Sequence, residues 1–374
     1  MKLAFLFTRK ISLKTWIDSG LFGREKLIYE KLIEDKFCEQ IYWFTYGVDD
    51  YKYQDLLPLQ IEVVSMPSCF QSKLGMYLYS FLLPFLYFSR LSSVQMVKTN
   101  QMEGSWTGVI IRFLYNCKLY IRTGYTWSQL LEDSSSGSKL HRFSILVERL
   151  AYKYCDLASV SSYHNQSYLK NMYPEYLDNL FVLGNFIDTK CFQPVTDVNT
   201  RCEDRLLFIG RLNKEKNLKP LLEAVSSLGL GLDLYGSGDQ ETELKSYAET
   251  LSKKIVFHGL IANEKLVDIY NDHKYYVLTS HAEGMPKTLI EAMACGCICI
   301  GTNVLGINEL IVDQKTGFLT TKTSSESIKS AIEKAIQSKE HQQISLKASS
   351  YIQTNFSLDA VYELEKSYIQ KVVI

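Results

Sequence analysis

Residues 280–296 read S-H-A-E-G-M-P-K-T-L-I-E-A-M-A-C-G, and this stretch defines its local structure more sharply than any other part of the chain. An apolar run at 275–278 precedes it, Pro286 suits the first turn of a helix, and Gly296 suits the end of one. The pattern predicts a strand, a loop and a helix. A helix that begins just past a parallel strand directs unpaired N–H groups into the crevice at the strand ends, where an anion can bind.

Two glutamates occupy this segment as an E-x7-E pair, Glu283 in the loop and Glu291 in the predicted helix. A carboxylate at a helix N-terminus repels an anion, but it can accept hydrogen bonds from hydroxyl groups. The segment therefore predicts a ligand that is both anionic and rich in hydroxyl groups. A nucleotide sugar has both properties.

The composition limits the class of protein. At 374 residues the chain exceeds the roughly 250–300 residues over which a single hydrophobic core keeps growing, so two domains are expected. Lys plus Arg and Asp plus Glu both number 41, and no long basic run occurs, which argues against nucleic-acid binding. The nine cysteines include no C-x-x-C pair. Cys295, Cys297 and Cys299 alternate along a predicted strand, which indicates small core residues rather than metal ligands.

The chain enters directly into a strand pattern without a signal-peptide pattern, so the expected compartment is the cytoplasm. Its most apolar segment, at residues 76–88, is M-Y-L-Y-S-F-L-L-P-F-L-Y-F, which is too short to span a bilayer and contains Pro84. Two interpretations remain open, a buried helix of the first domain or an aromatic-rich surface at the inner face of a membrane. The second would make this a peripheral membrane protein.

Apolar strand-like runs alternate with helical periods along most of the chain, which is typical of parallel α/β sheets. In the second half, strands are predicted at 205–209, 231–235, 255–258, 275–278 and 297–301. The predicted fold is two Rossmann-like, doubly wound α/β domains that face a central cleft. We expect an N-terminal domain at 1–186, a C-terminal domain at 187–355, and a C-terminal helix at 356–374 that packs back on the first domain.

Two cations follow the first strand of the second half. The sequence F-I-G-R-L-N-K-E-K-N-L at 208–218 places Arg211 and Lys216 at a carboxyl strand end, where open α/β sheets bind ligands. Arg grips a diphosphate in bidentate fashion, and Lys acts on it as a point charge. The next strand ends in L-Y-G-S-G-D at 234–239, but Glu241 occupies the third glycine position of a dinucleotide fingerprint, so nicotinamide binding loses support.

Taken in order, these motifs resemble those of the family-four retaining glycosyltransferases, which are group-one glycosyl transferases of the GT-B fold. The matching elements lie between about residues 204 and 320. They are Arg211 with Lys216, Gly236-Ser237-Gly238, Phe257-His258-Gly259, Glu283 with Glu291, Gly306 with Glu309, and Thr316-Gly317-Phe318. As an ordered set they are specific for the superfamily but not for a substrate. The first half agrees only in its strand–helix rhythm and in the linker.

The resemblance implies that the second domain binds the donor, a nucleoside-diphosphate sugar such as a UDP-sugar, and that the first domain binds the acceptor. Arg211 and Lys216 would neutralise the diphosphate, and Glu291 would hold the ribose hydroxyls. Glu283 would contact the donor sugar, which makes it, with the two cations, a candidate catalytic residue. Further donor-binding positions are Gly210, Gly236, Gly238, Gly259, Leu260, Gly284, Met285, Pro286 and Lys287.

Fixed cations at a departing diphosphate stabilise the transition state of glycosyl transfer more than the ground state, so no metal ion and no other cofactor is expected. The sequence contains no D-x-D pair, which argues against the metal-dependent single-domain glycosyltransferases.

Many relatives carry a histidine just beyond a strand of the first domain, but the comparable place here reads Arg122-Thr123-Gly124-Tyr125. The two histidines before the linker, His141 and His164, are not at obvious strand ends. The catalytic acid or base is therefore unassigned. We expect same-face attack, with the leaving phosphate accepting the acceptor's proton.

Acceptor contacts are expected from two strand-end segments of the first domain. The segment after the first strand offers Gly20, Gly23 and Arg24, and the loop K-T-N-Q-M-E-G-S-W at 98–106 offers Glu103. Ordinary loops and a helix cap are the alternative. The predicted function is transfer of a sugar, with retention, to a hydroxyl of a saccharide or lipid-linked acceptor in surface polysaccharide biosynthesis. Two alternatives stay open, a nucleotide-sugar epimerase of the same fold and a catalytically inert sugar-nucleotide-binding protein.

Overall fold

The computed structural model describes residues 1–129, 131, 138–176, 178–251 and 254–373. The chain divides into two compact units, one formed by Met1–Gly184 with Tyr362–Ile374 and the other by Asn185–Val361. Each unit is built on one parallel β-sheet with helices between its strands. The predicted pair of Rossmann-like α/β domains is confirmed.

The first unit contains a seven-stranded parallel sheet with the strand order β3-β2-β1-β4-β5-β6-β7. Its strands are β1 (Lys2–Leu6), β2 (Gln40–Phe44), β3 (Ile61–Val64), β4 (Met96–Thr99), β5 (Lys118–Thr123), β6 (Leu157–Val160) and β7 (Leu180–Val182). Their residues are mostly buried, as expected for a parallel sheet with helices on both faces. The chain winds from β1 toward β3 and then returns to β4 on the other side of β1. The topological switch point therefore lies between β1 and β4.

Helices connect these strands, and several of the helices have a serine as their N-cap residue. The helices are α1 (Leu13–Asp18), α2 (Phe22–Glu25), α3 (Leu27–Glu34), α4 (Lys73–Leu86), α5 (Phe88–Leu91), α6 (Ser105–Tyr115), α7 (Lys139–Tyr154) and α8 (Tyr163–Met172). The hydroxyl oxygens of Ser72, Ser138 and Ser162 each accept a hydrogen bond from the backbone N–H three residues later. Each bond satisfies one otherwise unpaired N–H group at the start of α4, α7 or α8.

The apolar segment at 76–88 lies in α4 and α5. Pro84 sits inside α4 and has no N–H group to donate to the carbonyl of Ser80. The Thr107 hydroxyl of α6 donates to that carbonyl instead, at 2.6 Å. The helix therefore continues past its proline, and the bond that the proline removes is replaced by one that joins α4 to α6.

The second unit contains a six-stranded parallel sheet with the order β10-β9-β8-β11-β12-β13. Its strands are β8 (Cys202–Ile209), β9 (Gly231–Tyr235), β10 (Ile255–Gly259), β11 (His273–Leu278), β12 (Ile298–Gly301) and β13 (Phe318–Leu319). Its helices are α9 (Leu218–Ser227), α10 (Glu241–Leu251), α11 (Asn263–Asp272), α12 (Lys287–Ala294), α13 (Ser325–Gln337) and α14 (His341–Phe356). The switch point of this sheet lies between β8 and β11. Cys295, Cys297 and Cys299 are fully buried core residues around β12.

The last helix is α15 (Leu358–Val373), and from Tyr362 onward it belongs to the first unit. The Tyr368 ring stacks on Phe181 of β7 with a centroid distance of 3.9 Å. The Glu365 carboxylate forms an ion pair with Lys98 of β4 at 2.6 Å, and both side chains are almost completely buried. Among the described helices, none combines the length and the apolar composition that crossing a bilayer requires.

Candidate functional site

Two loops meet at the carboxyl edge of the second sheet, one after β8 and one after β11. The two strands are neighbours in the sheet, at its switch point. The amide of His281 donates to the carbonyl of Glu215 at 2.8 Å, and the hydroxyl of Thr279 donates to the carbonyl of Lys216 at 3.0 Å. These bonds hold the loop after β11 against the short 3-10 helix Lys214–Lys216.

Lys216 and Glu283 form an ion pair at this edge, and their side chains are 14% and 13% exposed. The hydroxyl of Ser280 donates to the same carboxylate at 2.5 Å. The structure thus joins two residues that the sequence assigns to different parts of a ligand, the phosphate and the sugar. A diphosphate bound to Lys216 would leave Glu283 free to accept hydrogen bonds from hydroxyl groups.

Arg211 lies on the same loop as Lys216 and is exposed. Among the described residues it makes no hydrogen bond or ion pair. Its guanidinium group can therefore offer its planar set of N–H donors to an anion. The loop that follows β8 thus carries three cations, of which Arg211 and Lys214 are exposed and Lys216 is held by the Glu283 carboxylate.

The loops after β8, β9 and β10 are in direct contact. Gly236 has φ +136°, and a Cβ atom there would lie 1.9 Å from the carbonyl oxygen of Gly210. The amide of Gly236 also donates to the carbonyl of Gly259 at 2.8 Å. Only glycine allows this approach at position 236. Gly238 lies on the same loop, and Leu260, which follows Gly259, is 80% exposed.

The loop that carries Glu283 is supported from two directions. Gly306 has φ +80°, and a Cβ atom there would lie 2.4 Å from the carbonyl oxygen of Glu283. The side-chain amide of Asn185 donates to the carbonyl of Met285 at 2.8 Å. Sequence reasoning did not identify Asn185, although its place in the G-N-F-I-D linker beside a predicted site was a signal that could have found it.

The loop leads into α12 as its sequence predicts. Gly284 is exposed, Pro286 is the N-cap with extended backbone angles, and Lys287 is the first helical residue. The exposed backbone of this loop and the first amides of α12 lie at the carboxyl edge of β11. This arrangement can bind an anion or a hydroxyl group through backbone N–H donors.

Glu291 lies further along α12 and is only 2% exposed. The hydroxyl of Tyr270 donates to its carboxylate at 3.0 Å and also to the carbonyl of Thr288 at 3.1 Å. Burial, together with the nearby Glu291 charge, raises the pKa of Tyr270 well above its ordinary value, so Tyr270 stays a proton donor. Glu291 as the ribose ligand remains a prediction.

A buried carboxylate that the sequence did not indicate lies next to the Gly259 loop. Asp233 of β9 accepts hydrogen bonds from Arg205 (2.5 and 2.7 Å), from His258 (2.6 Å) and, at 3.2 Å, from His273. Burial alone would raise the pKa of Asp233, but the hydrogen bonds from His273, Arg205 and His258 hold it well below its usual range. The His258 ring stacks on Tyr235, with centroids 4.4 Å apart. These contacts fix the end of β10, where Gly259 begins its loop.

The predicted acceptor positions lie at two places in the first unit. Gly20 and Gly23 are exposed, with no atom close to either in the direction of a side chain, and the Nε atom of Arg24 lies 3.4 Å from the Glu25 carboxylate. Each residue of this group belongs to the segment that joins α1 to α3. Their role remains a prediction.

Glu103 follows β4 and forms an ion pair with Arg9, which follows β1. Arg9 is 4% exposed, and its guanidinium carbon lies 3.8 Å above the ring centre of Tyr77. The pair spans the switch point of the first sheet. Sequence reasoning missed Arg9, for which the only signal is its position just past the first strand. Any contact from Glu103 to a hydroxyl would share the carboxylate with this ion pair.

In the part of the first unit that the structure describes, no histidine lies in the loop directly after a strand, and the nearest to one is His164, four residues past the end of β6. β5 ends at Thr123, and the amide of the next residue, Gly124, donates to the side chain of Gln101 at 2.8 Å. His141 and His164 lie in the first turns of α7 and α8. The catalytic acid or base stays unassigned.

The solved structures with the same fold define the class. The crystal structure of Anabaena HepE in complex with UDP superimposes with a TM-score of 0.78, covers 99% of this chain and 100% of that one, and is 17% identical in sequence. The two Rossmann-like units are those of the GT-B fold.

The family model narrows this class. Residues 200–349 match the model of the family described as Glycosyl transferases group 1. The resemblance that the ordered motifs predict is confirmed.

Two curated relatives resemble the chain over part of its length. A Campylobacter jejuni enzyme, an alpha-1,4-N-acetyl-D-galactosaminyltransferase that acts on a diNAcBac-PP-undecaprenol-linked disaccharide, is 28% identical over 212 residues, which are 54% of this chain and 55% of the relative. The amylovoran biosynthesis glycosyltransferase AmsD of Erwinia amylovora is 30% identical over 166 residues, 41% of this chain and 46% of the relative. The chain spans about half the length of these curated relatives.

Proposed function

We propose that the chain is a retaining glycosyltransferase that moves a sugar from a nucleoside-diphosphate sugar to a hydroxyl of a saccharide or lipid-linked acceptor in surface polysaccharide biosynthesis. The observation that carries the proposal is the Lys216–Glu283 ion pair, on the same loop as the exposed Arg211, at the switch point of a domain that matches the group 1 glycosyl transferases. A cation for a diphosphate and a carboxylate for hydroxyl groups are adjacent there.

The charges fit the chemistry of glycosyl transfer. When the anomeric C–O bond breaks, positive charge develops on the sugar and negative charge on the departing diphosphate. Arg211 and Lys216 would stabilise the negative charge of the diphosphate. With these fixed cations in place, the transfer would not require a metal ion. Glu283 would accept hydrogen bonds from the sugar. The acceptor hydroxyl would attack the anomeric carbon from the face that the diphosphate leaves and would pass its proton to the leaving phosphate. Attack on that face gives retention.

The rest of the donor would extend over the neighbouring loops. The backbone at Gly259 and Leu260 would bracket the base, Glu291 would hold the ribose, and the backbone from Gly284 to Lys287 would approach the sugar or phosphates. UDP is the nucleotide to test first because the HepE structure contains it. A lipid-linked saccharide is the acceptor class to test first because the Campylobacter relative acts on one.

All nine cysteines are free, which suits the reducing cytoplasm that we propose as the compartment.

We expect nucleoside diphosphate release that depends on an acceptor. The assay offers UDP-glucose, UDP-galactose, UDP-N-acetylglucosamine, UDP-N-acetylgalactosamine and GDP-mannose, each with and without a bacterial membrane extract. Release should persist in excess EDTA, since side chains rather than a metal ion neutralise the diphosphate. Loss of activity in EDTA that Mg²⁺ or Mn²⁺ restores would contradict the metal-independent mechanism. Release of nucleoside diphosphate without an acceptor, or an epimerised donor, would support the epimerase. Binding of the nucleotide sugar without turnover would support the inert binding protein.

Glu291→Gln is expected to raise the Kd for UDP about 10- to 100-fold, because a hydrogen bond to a charged group contributes about 1.5–3 kcal/mol. Titration calorimetry with UDP and 2′-deoxy-UDP measures this directly. The variant should lose its preference for the ribose form, since the lost contact is to a ribose hydroxyl. Glu326→Gln, on the exposed first turn of α13, is the matched control and should leave both affinities unchanged. An unchanged ribose preference in the Glu291 variant contradicts the assignment.

A further inference from the structure

Four helices of the first unit expose large apolar side chains to solvent on one continuous surface, which we call the apolar face. The exposed fractions reach 79% for Leu74, 65% for Phe88 and 63% for Phe113. Its members on α4 and α5 are Leu74, Leu78, Phe81, Phe85, Leu86 and Phe88, and those on α6 and α7 are Phe113, Leu114, Leu140, Phe143, Leu146 and Leu150. Single exposed hydrophobic residues are ordinary, but twelve on successive helices are not.

Ring contacts show that these helices are side by side. Phe81 of α4 stacks on Trp106 of α6 at 5.8 Å, and Trp106 contacts Phe143 of α7 at 6.1 Å. At the other end of α6, Phe113 lies 4.9 Å from Tyr154 of α7. The exposed side chains of α4, α6 and α7 therefore form one surface.

On both sides of α7, the buried one and the exposed one, apolar residues recur at helical spacing. Ser144, Val147, Glu148, Ala151 and Tyr152 are buried. The exposed apolar residues, Leu140, Phe143, Leu146 and Leu150, recur at helical spacing on the opposite side. The core is complete without them, so their apolar character is unexplained by folding.

The apolar face is basic and has no exposed acid on its helices. α4, α5 and α6 contain Lys73, Arg90 and Arg112 and no Asp or Glu. Arg90 forms an ion pair with Glu62 and Arg112 one with Asp156, so the positive charge of the face comes from Lys73 and from α7. The exposed charges of α7 are Lys139, Arg142, Arg149 and Lys153.

The one acidic residue of α7, Glu148, is fully buried. Its carboxylate accepts hydrogen bonds from the amide and the hydroxyl of Ser128, at 2.9 and 2.7 Å, and from the hydroxyl of Tyr173 at 3.0 Å. The acidic and basic residues of the whole chain are equal in number, so this concentration of positive charge is local.

We propose that the apolar face binds the surface of an anionic phospholipid bilayer. Leucine and phenylalanine side chains would enter the boundary between headgroups and acyl chains, while the flanking Lys and Arg groups would contact anionic headgroups. A second copy of the chain is disfavoured, because a two-fold contact would bring two basic surfaces together. The inference concerns binding alone and holds whether or not the chain transfers a sugar.

Co-sedimentation with vesicles tests the proposal. The full chain should bind vesicles of equal parts phosphatidylglycerol and phosphatidylcholine, and should bind pure phosphatidylcholine at least tenfold more weakly, with an affinity for the anionic vesicles that falls as salt rises. The double variant Phe143→Glu with Leu146→Glu should lose about tenfold or more of its vesicle affinity. Both positions are exposed, but Phe143 also contacts the rings of Trp106 and Trp127, so far-UV circular dichroism and thermal unfolding, rather than tryptophan fluorescence, check that the fold is preserved.

The matched control is the double variant Val195→Glu with Leu346→Glu, which places two carboxylates at exposed apolar positions of the second unit, 72% and 57% exposed. It should bind vesicles like the parent chain. Arg142→Glu with Lys153→Glu should abolish the preference for phosphatidylglycerol. No binding of the parent chain at low salt, or equal losses in both double-glutamate variants, would overturn the proposal. So would a concentration-dependent dimer that Phe143→Glu with Leu146→Glu dissociates, since the face would then be a protein interface.

Discussion

Lys216→Ala is expected to lower kcat/KM for sugar transfer by about 10²–10³-fold, the range seen when one group that stabilises transition-state charge is removed. The substitution removes a cation from the leaving diphosphate. It also leaves Glu283 without its ion-pair partner in a site where the side chain is only 13% exposed. The loss should appear mainly in kcat, because the charge that Lys216 neutralises is larger in the transition state than in the bound donor.

The control lies two residues away. Lys214 belongs to the same 3-10 helix and is exposed, so Lys214→Ala removes an equal charge from the same loop without touching Glu283. It should change kcat/KM less than about twofold, since a solvent-exposed charge is screened. Comparable losses in the Lys214 and Lys216 variants would mean that the loop acts through its overall charge, and would contradict a specific role for Lys216.

A double-mutant cycle with Glu283→Gln separates pairing from independent action. If the two residues hold one donor between them, the double variant should lose much less than the product of the two single losses. If Lys216 binds phosphate and Glu283 serves only as its structural partner, Glu283→Gln should leave kcat nearly unchanged. Steady-state kinetics of the four proteins with one donor distinguishes these outcomes.

Five strands of the second unit could be predicted from the sequence because each contains a short apolar run that ends in glycine or a polar loop, whereas the two-residue strand β13 (Phe318–Leu319) is too short to leave such a pattern and was not predicted. The segment at 280–296 is an example, since the structure has β11 ending at Leu278 and α12 beginning at Lys287. The ion pair between Lys216 and Glu283 could not be predicted. Its members are 67 residues apart, and their meeting depends on β11 lying next to β8, a pairing that comes from a crossover and leaves no local pattern.

The first unit was harder to predict for a related reason. Its site-edge contacts, such as Arg9 with Glu103, join residues 94 positions apart through a partly buried salt bridge that no periodicity indicates. The two interpretations of residues 76–88 describe opposite sides of one helix. Leu83 and Pro84 of α4 are buried, whereas Phe81 and Phe85 are exposed. Hydropathy alone gives the amount of apolar surface, and only the packing of α4 on α6 shows which part of it faces solvent.

Glu365→Ala is expected to destabilise the first unit by about 3–5 kcal/mol, the usual cost of leaving one member of a buried ion pair without its partner. Lys98 is 2% exposed, and its ammonium lies between the rings of Tyr29 and Tyr120, at 5.0 and 5.3 Å from their centres. Burial lowers the pKa of Lys98, and Glu365 is the main group that opposes this effect. Urea unfolding followed by tryptophan fluorescence measures the loss selectively, because Trp16, Trp43, Trp106 and Trp127 are the four tryptophans of the chain and all lie in the first unit.

Two comparisons show whether charge or packing causes the loss. Glu363→Ala, at a 63% exposed position of the same helix, should change the free energy of unfolding by less than about 0.5 kcal/mol. Lys98→Met with Glu365→Leu should recover most of the lost stability, because it removes both charges and keeps the volume.

In the Glu365→Ala protein the folded state would hold Lys98 with a pKa below that of the unfolded chain. The unfolded state then binds more protons, and stability should rise as the pH rises toward the ordinary lysine pKa of about 10.4. A Glu365→Ala protein whose stability does not change with pH would show that the cost comes from the cavity, and the pair would then act as packing rather than as charge.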